Sequence, residues 1–318
     1  MKKTSKEYQT QFVESHPQLY DKSVKDTISS SVILHSNIES PGSSAAACLN
    51  VLGYLNLHQE EIFAFFRCFD LKIERVIPFP TGANVGGEIY DDRGPIVFEW
   101  IGPKNSPINE VCNSGRGIYR TCFDAFLLAE IDGKVTQILI EWKFTEKKYN
   151  RREICYFAGL SGMQRLWRYS DILIRYQDEE FPFRFEKLKD IGHTGCPYLG
   201  LSDCSYEPFY QLLRMTLLAK ETTPIFLSDV NVEDYRIVHL IHSDNEKLLT
   251  VQREHLQYSP GLLNVLDANA SKNLHELWKM VITEKENKRF VCGFWDKAIS
   301  VLQEDADYVK YLRDRYVS

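Results

Sequence analysis

Long apolar runs and an export signal are both missing from this sequence. Hydrophobic residues make up 44% of the 318, an ordinary share for a globular protein, but no run of them approaches the roughly 20 residues that a membrane helix needs. The start, MKKTSKEYQTQ, lacks the apolar core of a signal peptide. These absences predict a cytoplasmic protein without a membrane partner.

Paired cysteine motifs are also missing. The eight cysteines include no CxxC pair, which predicts reduced cysteines that serve as small apolar residues. His193, Cys196 and Cys204 lie close in sequence, but three ligands at this spacing match no zinc template, so a zinc site is a weak alternative.

The chain lacks an excess of basic charge. Its formal net charge of −6 argues against a protein that coats nucleic acid through bulk electrostatics, but not against one that neutralises a few phosphates locally. We predict phosphate contacts for basic residues near one predicted hairpin. These residues are Arg116, Arg120, Lys147, Lys148, Arg151 and Arg152. A solvated helix start explains Lys147, Lys148, Arg151 and Arg152 equally well.

A strong hairpin signal lies near the middle of the chain. The apolar runs Phe123 to Ile131 and Val135 to Phe144 flank Asp132-Gly133, a dipeptide that favours a two-residue turn. We therefore predict two antiparallel strands, with an earlier strand over Ile96 to Ile101.

Three charged residues interrupt this apolar hairpin. Glu141 and Lys143 share one face of the second strand, and pairing across the turn brings Asp124 towards the same end. Taking such charges out of water costs several kcal/mol unless they are paired or bind a metal. Two carboxylates suit Mg²⁺, and an adjacent lysine can orient or deprotonate a water, whereas a surface Glu/Lys ladder is the alternative reading. Glu99, on the preceding strand, is a candidate further ligand.

Several segments resemble the PD-(D/E)xK nuclease superfamily, specifically a restriction-endonuclease-like subgroup. They are Ser43–Asn50 (SSAAACLN), Arg120–Ala125, Ile140–Glu146 with its Glu-x-Lys, Glu207–Ala219, Tyr235–Leu240 and Tyr311–Tyr316. Together they span most of the chain. One departure is that Phe123, not proline, precedes Asp124.

The resemblance implies an endodeoxyribonuclease that requires Mg²⁺, for which Mn²⁺ can substitute. Asp124 and Glu141 would bind the metal together with the backbone carbonyl of Trp142, and Lys143 would position the water. Gln211 would contact this cluster from a helix. A catalytically silent DNA-binding module, or a nuclease for RNA or branched repair intermediates, remains open. So does a homodimer.

The resemblance also implies an α/β fold, with a restriction-endonuclease-like core of a mixed central sheet flanked by helices. We expect a polar segment over 1–40 and one nuclease domain over 41–318, with an insertion near 177–206 and a helical region over 262–318. Ser43 or Ser44 is expected to cap a helix over Ala45–Leu55. A strand over Tyr235–Ile241 completes the core, and Leu274–Tyr316 reads as amphipathic helix.

Overall fold

A computed structural model describes residues 18–20, 24, 38, 40–90, 94–109, 120–146, 155–185 and 199–317. Within them the strands are β1 (Arg75–Ile77), β2 (Ala83–Val85), β3 (Glu88–Tyr90), β4 (Ile96–Trp100), β5 (Phe123–Ile131), β6 (Lys134–Lys143), β7 (Ile225–Leu227), β8 (Val230–Val232), β9 (Asp234–Ile241) and β10 (Phe290–Phe294). The α-helices are α1 (Ser44–Leu57), α2 (Ile62–Arg67), α3 (Gly159–Leu173), α4 (Phe209–Glu221), α5 (Pro260–Ala268), α6 (Leu274–Val281), α7 (Glu284–Asn287), α8 (Trp295–Ala298) and α9 (Ala306–Tyr316).

The main sheet is mixed, as predicted. Its order is β1-β5-β6-β9-β10, and β4 pairs with β5 beside β1. Strand β5 is antiparallel to β1, β4 and β6, whereas β6 and β9 run parallel. Strand β4 pairs with the first half of β5 and β1 with the second half, so the two share one edge of this long strand.

The predicted hairpin is confirmed. Ile131 pairs with Lys134, leaving Asp132 and Gly133 as a two-residue turn. Both have positive φ, 52° and 70°, as a type I′ turn requires.

One face of the sheet carries the main hydrophobic core. Alternate residues of β5 and β6, such as Leu127 and Ile140, belong to a buried cluster that also includes residues of α1, α2, α8 and α9. Burial of these apolar side chains is the main force that fixes the sheet against its helices. The indole rings of Trp142 and Trp295 stack at a centroid distance of 4.5 Å.

The chain divides into two compact units. Unit 1 comprises residues Met1–Thr145, Leu218–Asp244 and Val291–Ser318, and unit 2 comprises Glu146–Leu217 and Asn245–Phe290. The predicted insertion near 177–206 falls in unit 2, with 186–198 outside the described residues. The predicted domain boundaries stay predictions.

Unit 2 has its own core and its own buried polar contacts. Tyr156 and Tyr210 stack at 4.0 Å, and the hydroxyl groups of Tyr169 and Tyr210 lie 3.2 Å apart. The Asp203 carboxylate accepts a hydrogen bond from the backbone N–H of Gly261, in the first turn of α5. Stacked aromatic rings and a carboxylate cap therefore help to stabilise unit 2.

The C-terminal region is not entirely helical. The predicted helix from Leu274 to Tyr316 is interrupted by β10, whose sequence FVCGF is rich in strand-forming residues. Gly293 in this strand lies against Phe69, since an added Cβ would stand 2.5 Å from that ring. Long-range packing of this kind has no local sequence signal.

None of the helices in the described ranges is long and apolar enough to span a bilayer.

Candidate active site

Three carboxylates stand in a row across the neighbouring strands β4, β5 and β6. The pairs Phe98↔Ala125 and Trp100↔Phe123 place Glu99 opposite Asp124. The pairing of β5 with β6, read one step past Ala125↔Ile140, places Asp124 opposite Glu141. Glu99 has a φ of 54°, an unusual value for a non-glycine residue, and the local ladder is interrupted there.

Asp124 lies where β5 and β6 stop pairing through their backbones. Its Oδ2 accepts a hydrogen bond of 2.6 Å from the backbone N–H of Trp142. The side chain thus takes the place of the next backbone acceptor in the ladder. This bond holds the Asp124 carboxylate close to the residue between Glu141 and Lys143.

Glu141 and Lys143 form an ion pair inside the sheet. Lys143 Nζ lies 2.5 Å from Glu141 Oε1, and their side chains are 14% and 4% exposed. The parallel neighbour β9 sets the buried His239 opposite Glu141 and Ile241 opposite Lys143. The predicted grouping of Asp124, Glu141 and Lys143 is therefore what the structure contains.

The cluster has more negative than positive charge. Burial raises the pKa of Asp124 well above its usual range, and the carboxylates of Glu141 and Glu99 raise it further. The Lys143 ammonium and the Trp142 N–H pull that pKa back down. The Cys122 thiol donates a hydrogen bond of 3.1 Å to Glu99 Oε2, and burial followed by Glu99 raises the thiol's pKa.

Side chains of α1 and α8, and the backbone just after β9, donate hydrogen bonds to the last two carbonyls of β6. The Trp142 carbonyl accepts a hydrogen bond of 3.1 Å from Ser44 Oγ, on α1. The Lys143 carbonyl accepts bonds from Trp295 Nε1 at 2.9 Å and from His242 N–H at 3.0 Å. Sequence reasoning missed these contacts with Ser44 and Trp295. The Ser-Ser motif predicts a helix cap, which Ser43 provides, but it does not indicate the contact of Ser44 with the Trp142 carbonyl.

The donor set fits a hard divalent cation held by few protein ligands. In the described part of the chain, no group of three or more His, Cys, Asp or Glu residues is arranged as a metal site. Mg²⁺, however, binds through one or two carboxylates and keeps several waters. Asp124, Glu141 and the Trp142 carbonyl supply such a set, and the surplus negative charge favours a cation. Glu99 stands beside this set and pairs with Cys122.

Arg120 differs from its predicted role as a phosphate contact. Its side chain is 2% exposed and forms an ion pair of 3.0 Å with Glu88. A guanidinium in a buried ion pair is not available at the surface, so the structure does not support a phosphate contact by Arg120.

The roles of the other predicted site residues stay predictions. Gln211, on α4, belongs to unit 2, and its role stays a prediction. The remaining predicted phosphate contacts lie outside the described residues: Arg116, Lys147, Lys148, Arg151 and Arg152. So do His193 and Cys196 of the zinc alternative, whereas Cys204 is buried.

The protein has a mixed sheet flanked by helices, and carboxylates and a lysine are grouped on the central hairpin of that sheet. These features define a restriction-endonuclease-like protein. The chain belongs to the REase-ARP family, described as restriction endonuclease associating with ARP, whose model matches residues 2–317. Searches of curated proteins and of solved structures found no match.

Proposed function

We propose that this protein is a Mg²⁺-dependent endonuclease that hydrolyses DNA phosphodiester bonds. The observation that carries the proposal is the grouping of Asp124 with the buried Glu141–Lys143 ion pair on one hairpin. Membership of a restriction-endonuclease family supports a nuclease.

Each residue of the group has a role that follows from its position. Asp124 and Glu141 would hold the metal with the Trp142 carbonyl, and Mn²⁺ would substitute for Mg²⁺ because it accepts the same oxygen ligands. A bound metal ion would make a water more acidic and stabilise charge that develops on the phosphate. Lys143, held by Glu141, would orient the attacking water through its ammonium donors.

The free-energy cost of burying these charges argues against a catalytically silent module. Replacing a buried ion pair by apolar residues of similar volume is often neutral or stabilising. A chain that kept the fold only to bind DNA would therefore lose nothing in stability by losing these charges. Their presence together supports an active nuclease.

The test is a cleavage assay on plasmid DNA with Mg²⁺ or with EDTA. We expect cutting that requires Mg²⁺ and falls by roughly 10²- to 10⁴-fold in Glu141→Gln and Lys143→Ala, since each removes a group that acts on the reacting atoms. Glu130→Gln is the matched control, because Glu130 is a carboxylate on the same hairpin whose partner is the exposed Arg75.

Supercoiled, linear, branched and single-stranded DNA should be compared with RNA in the same assay. Discrete products from duplex DNA would support sequence recognition. Cutting confined to RNA or to branched DNA would replace the substrate in the proposal. A folded wild-type protein that binds DNA but cuts none of these substrates would contradict it.

A further inference from the structure

The two serines at the start of α1 have different hydrogen-bond partners. Ser43 Oγ accepts a bond of 3.2 Å from the backbone N–H of Ala46 and so caps the helix. Ser44 Oγ instead donates to the Trp142 carbonyl at 3.1 Å. Ser43 therefore caps α1, whereas the Ser44 hydroxyl forms a hydrogen bond with the backbone of β6.

Cys48, on the same helix, lies near the carboxylates as well. Ser44 and Cys48 are four residues apart and so lie on the same face of the helix. The pKa of the Cys48 thiol is raised first by burial, and then by Asp124, Glu99 and Glu141. Cys48, in the second turn of α1, is thus close enough to the three carboxylates to experience their charge.

We propose that Ser44 is a positioning residue for the metal ion of the candidate active site, and that its hydroxyl fixes the Trp142 carbonyl as a ligand. The inference rests on the proposed function, because it assumes that this carbonyl binds the cation. It adds a residue of α1 to a site otherwise formed by the hairpin.

The physical argument starts from the carbonyl itself. A carbonyl oxygen has two lone pairs, so it can accept the Ser44 hydrogen bond and still bind a cation. Residue 142 is held at its N–H by Asp124 and at its carbonyl by Ser44, so its backbone is fixed before metal arrives. Without the hydroxyl, part of the metal-binding free energy would go into fixing this carbonyl, which weakens binding.

The neighbouring serines provide a matched set of variants. Ser44→Ala removes the donor, whereas Ser44→Thr keeps it and adds one methyl group at a half-buried position. Ser43→Ala removes the helix cap but leaves the hydroxyl of Ser44 in place. If Ser44 merely stabilised α1, the two alanine variants would behave alike.

The experiment measures Mn²⁺ binding by the metal-free full chain, with free Mn²⁺ detected by electron paramagnetic resonance and Mg²⁺ used as a competitor. We expect Ser44→Ala to bind Mn²⁺ about 10-fold more weakly, and Ser44→Thr and Ser43→Ala to stay within about twofold of wild type. Thermal unfolding should show a lower Tm for Ser43→Ala, because that variant loses the cap.

Two results would overturn the inference. Equal Mn²⁺ affinity in wild type and Ser44→Ala would remove the role of the hydroxyl, and continued DNA cleavage by the wild type would leave the nuclease proposal standing. Equal losses in Ser44→Ala and Ser43→Ala would assign the effect to helix stability instead. A wild type that neither binds Mn²⁺ nor cuts DNA would contradict the proposed function itself.

Discussion

At the scale of single residues, the site charges are expected to oppose stability. Asp124 is repelled by Glu141 and Glu99, and Asn at this position would keep an oxygen for the Trp142 N–H while removing one negative charge. Functional groups of this kind are commonly retained at a cost in stability. Asp124 and Lys143 are not equivalent in this respect.

We predict opposite effects on stability for Asp124→Asn and Lys143→Met. Without metal, Asp124→Asn should be as stable as wild type or more stable by about 1 kcal/mol, because repulsion is relieved. Lys143→Met should lose about 3 kcal/mol, because it leaves Glu141 buried without its cation. Urea denaturation in EDTA measures both, and a large loss in Asp124→Asn would contradict the assignment of net repulsion.

Acid pH should destabilise the protein through His275 in unit 2. Burial, aided by Lys279, lowers the pKa of His275 from its usual 6.5 to about 4. The unfolded chain therefore takes up this proton at a higher pH than the folded chain, so stability is full above pH 6.5 and is lost as pH falls towards 4. At pH 5 the loss from this one group is about 2 kcal/mol relative to pH 8.

Denaturation of His275→Asn across this range tests the prediction. We expect a shallower fall in the free energy of unfolding between pH 6.5 and 4 than in wild type. His58, a histidine in unit 1, provides a control substitution. The same acid dependence in wild type and His275→Asn would refute the assignment.

At the scale of elements, the hairpin turn is the local feature that the sequence specifies most clearly. Gly133 has a φ of 70° and nothing lies within 4 Å of the position of an added Cβ. A substitution there meets backbone strain without steric contact. The effect of the turn on stability can therefore be isolated.

We expect Gly133→Ala to lower the free energy of unfolding by about 1 kcal/mol, because a left-handed residue with a Cβ is strained. Asp132→Asn should be close to neutral, since asparagine tolerates positive φ well. Equilibrium denaturation of both variants is the measurement, and an unchanged Gly133→Ala would mean that the turn rearranges without cost.

The same element shows how far sequence reasoning reaches. Alternation and Asp132-Gly133 are local, so they predicted the two strands, the turn and the shared face of Glu141 and Lys143. The position of Glu99 opposite Asp124 depends on an interrupted ladder, and no local pattern encodes it. The bonds from Ser44 and Trp295 join residues 98 and 152 positions apart, and only the folded chain brings them together.

At the scale of the molecule, the terminal helix α9 closes the core of unit 1. Tyr308, Val309, Leu312 and Tyr316 are buried. The Tyr308 hydroxyl donates to the Asn50 carbonyl at 2.9 Å, and the Asn50 amide donates to the Tyr316 hydroxyl at 2.8 Å. The helix α1 that carries Ser44 is thus tied to the last helix of the described chain.

Deleting residues from Ala306 onwards should abolish cooperative folding of unit 1. The four buried side chains contribute about 6–12 kcal/mol, which is comparable to the whole stability of a domain. Removal of Val317 and Ser318 alone is the control and should have little effect, because Val317 is 40% exposed. Circular dichroism and thermal melts of both truncations are the test, and a sharp wild-type-like transition in the longer deletion would contradict it.

The parallel pairing of β6 with β9 has a consequence for biosynthesis. The ribosome adds Glu141 and Lys143 well before Asp234, where β9 begins, and later still adds Trp295, whose indole holds the Lys143 carbonyl. During that interval the nascent chain carries the acids and the lysine without the strand and the indole that hold them in the finished protein. Translation therefore delays assembly of the candidate site, and a nuclease built this way becomes competent only when most of its chain has been made.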